Sequence, residues 1–518
     1  MTVEKDDAAN AEDGNKQDDG PQPVKPRRGF LSSAFGLDRE EMPVGKIGFA
    51  TQLRRLTRLM KLELTNERRR DKFSKQFLDL IQGNPGLASF RFKVDEYEEL
   101  LLHQIMYKKP SFDLFHQLYK LNPQATQFTG YGNYNVLHHA CWGHVTVEIV
   151  DFLVREHPDL CRGAPFPPLL SAVDAETEME VLECLVKAYP QALCACDISS
   201  ITALDMALMD KLSMPVFQLF VTSYPEVELK ITERAGMVRI PPALANLFAC
   251  DHERIRILDG THMRFSAFGW VTFLSKLAQN NTLTELVIDL SEAEVDQETC
   301  DAMLLFLSKN RALKRLSLRG KLLPTALGRC LAKGVAENQT LESLIIATPL
   351  DGINAGEVLG SVEFHPAMNS LAFSHMTTPG VDWRGLSNLV LIQKLDLADC
   401  LVGVDLAEPL AALLENTELL QDLNVRNNRI GDQGSVIVAN ALQKNVSLLR
   451  LDYSHNEIGE TGWLAFLDML QHHNVTIRSI QFARDDGDYA SFNSKLQYYC
   501  DQNVTGRKLS PSSEVIET

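Results

Sequence analysis

Between Leu420 and Ile458 one pattern occurs twice in succession. LQDLNVRNNRI is followed by LLRLDYSHNEI, and the matching positions (Leu423 and Leu451, Asn428 and Asn456, Ile430 and Ile458) stand 28 residues apart. Both stretches fit L-x-x-L-x-φ-x-x-N-x-φ, with φ apolar. Leu420, Leu423 and Val425 fall on the core side of a short strand and the turn before it, and the Asn428 amide suits backbone groups where the chain leaves the strand. Ile430-Gly431-Asp432-Gln433-Gly434 supplies turn residues, and Val436, Ile437, Ala439 and Leu442 recur at helical spacing. A strand-turn-helix unit of this kind cannot bury its apolar side alone, so copies must stack.

The same frame recurs at LTELVID (Leu283 to Asp289), LKRLSLR (Leu313 to Arg319), LESLIIA (Leu341 to Ala347), MNSLAFS (Met368 to Ser374), IQKLDLA (Ile392 to Ala398) and IRSIQFA (Ile477 to Ala483). With ERIRILD (Glu253 to Asp259) upstream, nine strands are predicted, their core positions 24 to 30 residues apart from Leu286 on. Asn280, Asn310, Asn338, Asn445 and Asn474 each lie three residues before the first apolar residue of a strand, directly after a helical stretch. Asn tolerates the left-handed conformation that ends helices, so these residues are expected to stop the helix there, with Asn416 a sixth case shifted by one residue. The same helix-ending role accounts for the N-x-Ser/Thr sequences at Asn338 and Asn445. This array resembles the leucine-rich repeat. Its long units, and the Asn or Cys at the ninth frame position (Cys400, Asn428, Asn456), resemble the ribonuclease-inhibitor class. The resemblance spans residues 253–484, with irregular units between 347 and 390. It implies an α/β solenoid with a parallel concave sheet and convex helices.

A second periodicity lies upstream. Asn122-Pro123, His157-Pro158, Tyr189-Pro190 and Tyr224-Pro225 recur at 32 to 35 residues, each after an apolar helical pattern that the proline would stop. In the same phase, NVLHHAC, PPLLSAV and TALDMAL place Ala140, Ala172 and Ala207 at spacings of 32 and 35. This resembles the ankyrin repeat, whose T-P-L-H-x-A signature is matched best by Leu137, His138 and Ala140. The resemblance implies an all-α solenoid over residues 95–230, with a degenerate first unit from Tyr97 to Asn122. It departs from the family at Asn135-Val136, where the Thr-Pro turn is absent, and at Pro167-Pro168, where it is altered. It also implies that His138 hydrogen-bonds within the turn and helix start, and the pair His138-His139 reads as structural rather than as a metal or acid-base site.

At 518 residues the chain is too long for one core. Residues 1–45 are expected to be a disordered acidic tail, 46–94 a basic amphipathic helical segment, 231–252 a junction, 485–505 a C-terminal helical cap and 506–518 a frayed tail. In the basic segment Phe49, Leu53, Leu56 and Met60 form an apolar stripe, with Arg54, Arg55, Arg58 and Lys61 mostly off it. The stripe is expected to pack on the following domain and the cations to be solvated. No apolar run approaches the roughly 18 residues a membrane helix needs. The N-terminus resembles neither a secretory signal nor a transit peptide, so a cytoplasmic chain is expected, and Lys25-Pro26-Arg27-Arg28 is compatible with nuclear entry.

The net charge of −17 argues against broad binding to nucleic-acid phosphates. Ten scattered cysteines include no C-x-x-C pair, and Cys194-x-Cys196 lacks a second ligand pair at zinc-finger distance. Walker, G-x-S-x-G, H-E-x-x-H and EF-hand patterns are all missing. No cofactor, metal or small-molecule substrate is therefore expected.

What remains is recognition. The third, fifth and seventh frame positions point outward from the predicted sheet, among them Lys394, Asp396 and Ala398, Asp422, Asn424 and Arg426, and Arg450, Asp452 and Ser454, with His455 at the edge. Asp396, Asp422, Asn424, Arg426, Arg450, Asp452 and His455 are the candidate contacts for a protein partner. A non-enzymatic adaptor or scaffold is the expected function. Ran GTPase-activating proteins and the tropomodulin family have similar leucine-rich arrays. That likeness implies, as an alternative, a regulator of a small GTPase or of a cytoskeletal protein, although no catalytic Arg or actin-binding helix is matched here.

Overall fold

The computed structural model describes residues 47–94, 97–236, 238–291, 295–320, 324–348, 352–363, 365–374, 382–482 and 490–506. The predicted tails, apart from Gly506, lie outside the described residues. The chain divides into two compact units, one running to Val181 and including Cys196–Ser200, the other comprising Leu182–Ala195 and the chain from Ile201.

The second unit is built on a ten-stranded sheet in which strands adjacent in sequence are adjacent in space. Its strands are Glu228–Lys230, Ile257–Gly260, Glu285–Asp289, Arg315–Arg319, Ser343–Ala347, Ser370–Phe373, Lys394–Asp396, Asp422–Asn424, Arg450–Asp452 and Ser479–Gln481. All pairings are parallel, and the register sets Leu229, Leu258, Leu286, Leu316, Leu344, Leu371, Leu395, Leu423, Leu451 and Ile480 in one continuous row. Each of these side chains is buried, at most 7% exposed. Helices return the chain from one strand to the next, and consecutive helices pack side by side from Pro242–Ala249 onward. A leucine-rich α/β solenoid is thus present.

Several expectations need correction. The sheet has a tenth strand: Glu228–Lys230 pairs with Ile257–Gly260, so the helix Pro242–Ala249 belongs to a full repeat and residues 231–252 are not a separate junction. A three-residue strand with one apolar residue, Leu229, is too short to show the frame. In the helix Gly431–Lys444 the buried side is Gly434, Ser435, Val438, Ala439, Ala441 and Leu442, while Val436 and Ile437 are half exposed, because the small residues turn toward the neighbouring elements. Ser454, expected to face outward, is buried, with its hydroxyl on Asp452.

The asparagines end their helices in extended, not left-handed, backbone: Asn310, Asn338 and Asn445 have φ −63°, −71° and −72° with ψ 134°, 151° and 133°. Their side chains do the work instead. Asn310 Oδ1 accepts the N–H groups of Ala312 and Leu313 at 3.0 and 2.8 Å, and its Nδ2 donates to Leu277 O and Asn280 O at 2.7 and 3.0 Å. Asn280, Asn338, Asn445 and Asn474 repeat this bridge, and Asn503 extends it. Asn416 is not part of it. Thr417 takes the place, its hydroxyl accepting from Leu420 N and donating to Val390 O.

A second ladder runs along the other end of the strands. Asn456 Nδ2 donates to Val425 O and Tyr453 O at 2.8 and 3.1 Å while its Oδ1 accepts Asn428 N at 3.0 Å; Asn428 Nδ2 donates to Leu397 O at 2.7 Å. On either side of each ninth-position residue the backbone is left-handed: Asp399 and Leu401, Asn427 and Arg429, His455 and Glu457 all have φ between 51° and 58°. For non-glycine residues this costs on the order of 1 kcal/mol each, which the ladder bonds offset.

The first unit opens with two helices, Ile47–Met60 and Glu67–Gly83, where one basic segment was expected. Asn66 makes the break: its side chain caps the second helix through Arg69 N at 2.9 Å. Leu53, Leu56, Met60, Phe73 and Phe77 are buried. The region is not all-α, since Arg91–Val94 pairs antiparallel with Tyr97–Leu100. Short and longer helices then alternate: Leu101–Met106 with Phe112–Leu121, Val136–Trp142 with Val147–Glu156, and Pro168–Asp174 with Met179–Ala188, the last of these helices lying mostly in the second unit; the chain continues there with Ala203–Met209 and Met214–Thr222. Each short helix is followed by one left-handed residue, Lys109, His144, Glu176 or Lys211. In the last three cases the next N–H turns back to the carbonyl of Ala140, Ala172 or Ala207, a Schellman-type closure.

His138 bonds within the turn and helix start as expected, Nδ1 accepting Asn135 N at 3.2 Å, and its Nε2 in addition donates to Phe166 O, ahead of the helix Pro168–Asp174, at 2.8 Å. The His139 ring is buried edge-on among His103, Tyr107 and Trp142, and neither ring nitrogen has a hydrogen-bond partner among the described residues. Burial pushes His103 and His138 down to about 4 and His139 well below its usual range. Because the unfolded imidazoles take up protons near pH 6.5, the stability that depends on neutral histidines is complete above about pH 6.5 and is lost as pH falls toward about 4. Amide exchange across residues 97–174, corrected for the intrinsic pH effect, should lose protection between about pH 7 and pH 5; unchanged protection would refute this. Asn456→Ala, which strips a donor from three carbonyls and an acceptor from two N–H groups, should destabilise the second unit by about 3 kcal/mol in denaturant titrations.

Candidate protein-binding surface

The alternation that buries the Leu row turns its flanking residues outward. One outward row runs Glu285, Arg315, Ser343, Ser370, Lys394, Asp422, Arg450 and Ser479; the other runs Val287, Ser317, Ile345, Ala372, Asp396, Asn424, Asp452 and Gln481, with Ser317 and Ser343 themselves buried.

The first row is an alternating charge ladder. Arg315 Nε lies 3.1 Å from Glu285 Oε2, and Asp422 sits between Lys394, whose Nζ is 4.0 Å away, and Arg450, whose Nη2 donates to Oδ2 at 2.6 Å. Asp422 is therefore a half-buried counter-ion to two exposed cations rather than an open carboxylate. Arg450 offers its exposed face, and Arg426 and His455 are exposed as well.

The second row holds the other three candidates, and there the structure shows an unexpected duty. Asp396, Asn424 and Asp452 each turn Oδ1 onto the N–H two residues on, that of Ala398, Arg426 and Ser454, at 2.9, 3.1 and 3.0 Å. Asp259 and Asp289 do the same for Thr261 and Ser291. These are Asx turns that end the strand, so Asp396, Asn424 and Asp452 hold the turn while presenting a half-exposed edge.

Sequence reasoning passed over the middle of this row. Val287 and Ala372 are half exposed and Ile345 is 38% exposed, on the same face as the charged residues. The signal was available: Ile345 occupies the outward fifth position of LESLIIA, where solvent alone would not select a branched apolar side chain. The face thus passes from small and apolar residues to charged ones along a single sheet.

The duties of these residues separate in mutation. Arg426→Ala should leave the unfolding midpoint within about 0.5 kcal/mol of the parent, whereas Asp452→Ala should cost about 1–2 kcal/mol by opening its turn. Equal effects of the two in thermal denaturation would refute the assignment.

No family model and no curated protein sequence matches the chain. Solved structures with similar folds include actin-binding site 2 of leiomodin-1 (12% identity, 35% of this chain and 91% of that one, TM-score 0.25). A leucine-rich repeat-containing protein, LegL7 from Legionella pneumophila, is 14% identical over 54% of this chain and 94% of its own, with a TM-score of 0.36. The Rad7 and Elc1 complex of yeast is 12% identical over 64% and 81%, with a TM-score of 0.37. At such identities and scores these likenesses carry no functional argument, and the repeat architecture rests on the sheet register described above.

Proposed function

We propose that this chain is a non-enzymatic adaptor whose outward sheet face binds a protein partner. The observation that carries the reading is the composition of that face: Val287, Ile345 and Ala372 give a dehydratable centre, and Lys394, Asp396, Arg426 and Arg450 give a charged continuation, as in protein interfaces with an apolar core and a polar rim. The ladders beneath hold these side chains on rigid backbone, which lowers the ordering cost of binding.

The helix pairs supply a second recognition surface in this reading, and we read them as ankyrin-like. Support comes from their short-then-long helices, from the small residues Ala140, Ala172 and Ala207 in equivalent buried positions, and from the recurring left-handed closure. The two surfaces then engage different proteins.

Affinity capture with the full chain tests the sheet face. Ile345→Asp and Arg426→Glu change exposed positions and should preserve the circular dichroism spectrum, while partners recovered by the parent chain are depleted at least about tenfold, the effect of a lost contact of about 1.4 kcal/mol. Recovery of the same proteins at the same yield by both variants would remove this face from the proposal.

A further inference from the structure

The two N-terminal helices carry an unneutralised cationic surface in a chain that is otherwise strongly acidic. Between Arg54 and Lys75 there are nine Lys or Arg against three Asp or Glu, within a chain of net charge −17. At 100° per residue, Arg54, Arg55 and Arg58 lie opposite the buried Leu53, Leu56 and Met60, and Arg68, Lys72 and Lys75 lie opposite the buried Phe73, Phe77 and Leu80. All six cations are exposed, and among the described residues none of them has an acidic side chain within ion-pair distance.

The repeats treat their cations differently. Arg315, Arg329, Lys394, Lys444 and Arg450 each reach an acid one repeat away. With so many acids available, leaving these six cations without an acidic partner among the described residues concentrates positive potential where an external anion can use it.

We infer that these two helices form a docking surface for an anionic lipid bilayer. Charge complementarity selects an anionic partner, and three features favour a bilayer over an acidic peptide. The cations are spread over the exposed sides of two helices rather than gathered at one point, an arrangement that a flat anionic surface meets more completely than a peptide does. The apolar faces of both helices are already used in the fold, so the helices adsorb without inserting. Between them Leu62 is 46% exposed, a single apolar point amid cations that can enter the headgroup layer.

The attraction is electrostatic and acts within about 8 Å at physiological salt.

Sedimentation of the full chain with vesicles tests this. Binding is expected to phosphatidylcholine vesicles carrying about 30% phosphatidylserine, and not to phosphatidylcholine alone. The triple variant Arg54→Glu, Arg55→Glu, Arg58→Glu should weaken it by about 100-fold or more, and raising salt to about 1 M should release the parent chain. An unchanged thermal midpoint of the variant shows that the fold is intact; Arg68→Gln with Lys72→Gln is a milder second variant should the first misfold. No binding to the anionic vesicles, equal binding to neutral ones, or full binding by both variants would overturn the inference. Capture of the chain by polyglutamate without any response to anionic vesicles would assign the surface to an acidic protein instead.

Discussion

Backbone polar groups that leave a short buried strand have to find partners inside the protein, and in this chain that requirement is met by side-chain amides reaching one repeat along. An Asn carries two donors and an acceptor on a short arm, enough to close its own turn and bind a carbonyl of the neighbouring turn at once. The departures show what is required. At the helix ends Thr417 supplies the same two functions with one hydroxyl, and His365 supplies the acceptor through Nδ1 to Met368 N at 3.0 Å. At the ninth position Cys400 directs its thiol to Phe373 O at 3.4 Å, a weaker form of the bond that Asn428 makes. Burial of the apolar core, of which the Leu row is the sheet's share, is the main favourable term, and the amide ladders keep that burial from stranding peptide groups.

Much of this was legible because two periodicities coincide: apolar residues every second position within a strand, and whole frames every 24 to 30 residues. Register could be read from Leu423 and Leu451 alone, since a one-residue slip would turn the entire row out of the core. What escaped was short or polar. The strand at Leu229 has one apolar residue, the helix break at Asn66 is signalled only by a cap, and the second duty of Asp452 depends on a turn whose dihedral angles no spacing reveals. The helix-ending asparagines were found for an incomplete reason, because tolerance of left-handed backbone is only one of the things an Asn offers. The left-handed positions that do occur, such as Glu176 and Glu457, are held by residues with no intrinsic taste for them, so the helix closure at Glu176 and the ladder bonds beside Glu457, rather than propensity, place them.

Charge is organised on two scales. Within the repeats most ion pairs connect residues 28 to 30 apart, as Lys314 with Glu342 and Arg315 with Glu285, on exposed surface where each contributes at most about 1 kcal/mol. Their effect is to cancel charge along the solenoid face. The candidate contacts differ accordingly: Asp422 is already engaged by its neighbours, whereas Arg426 and His455 keep exposed side chains. A partner that recognises this face reads a neutralised ladder with local departures from neutrality, not a uniform field.

The amide ladders have a further consequence. Each Asn bonds only its own turn and the adjacent one, and nothing in the sheet closes on itself, so no rung depends on how many others there are. Ten strands are therefore a length and not a geometry. Adding or deleting one strand-helix unit between, for example, Asn310 and Asn338 would move every later rung without altering any rung's chemistry. The reach of the recognition face is in that sense an adjustable quantity, free to change while the rule that builds each step stays the same.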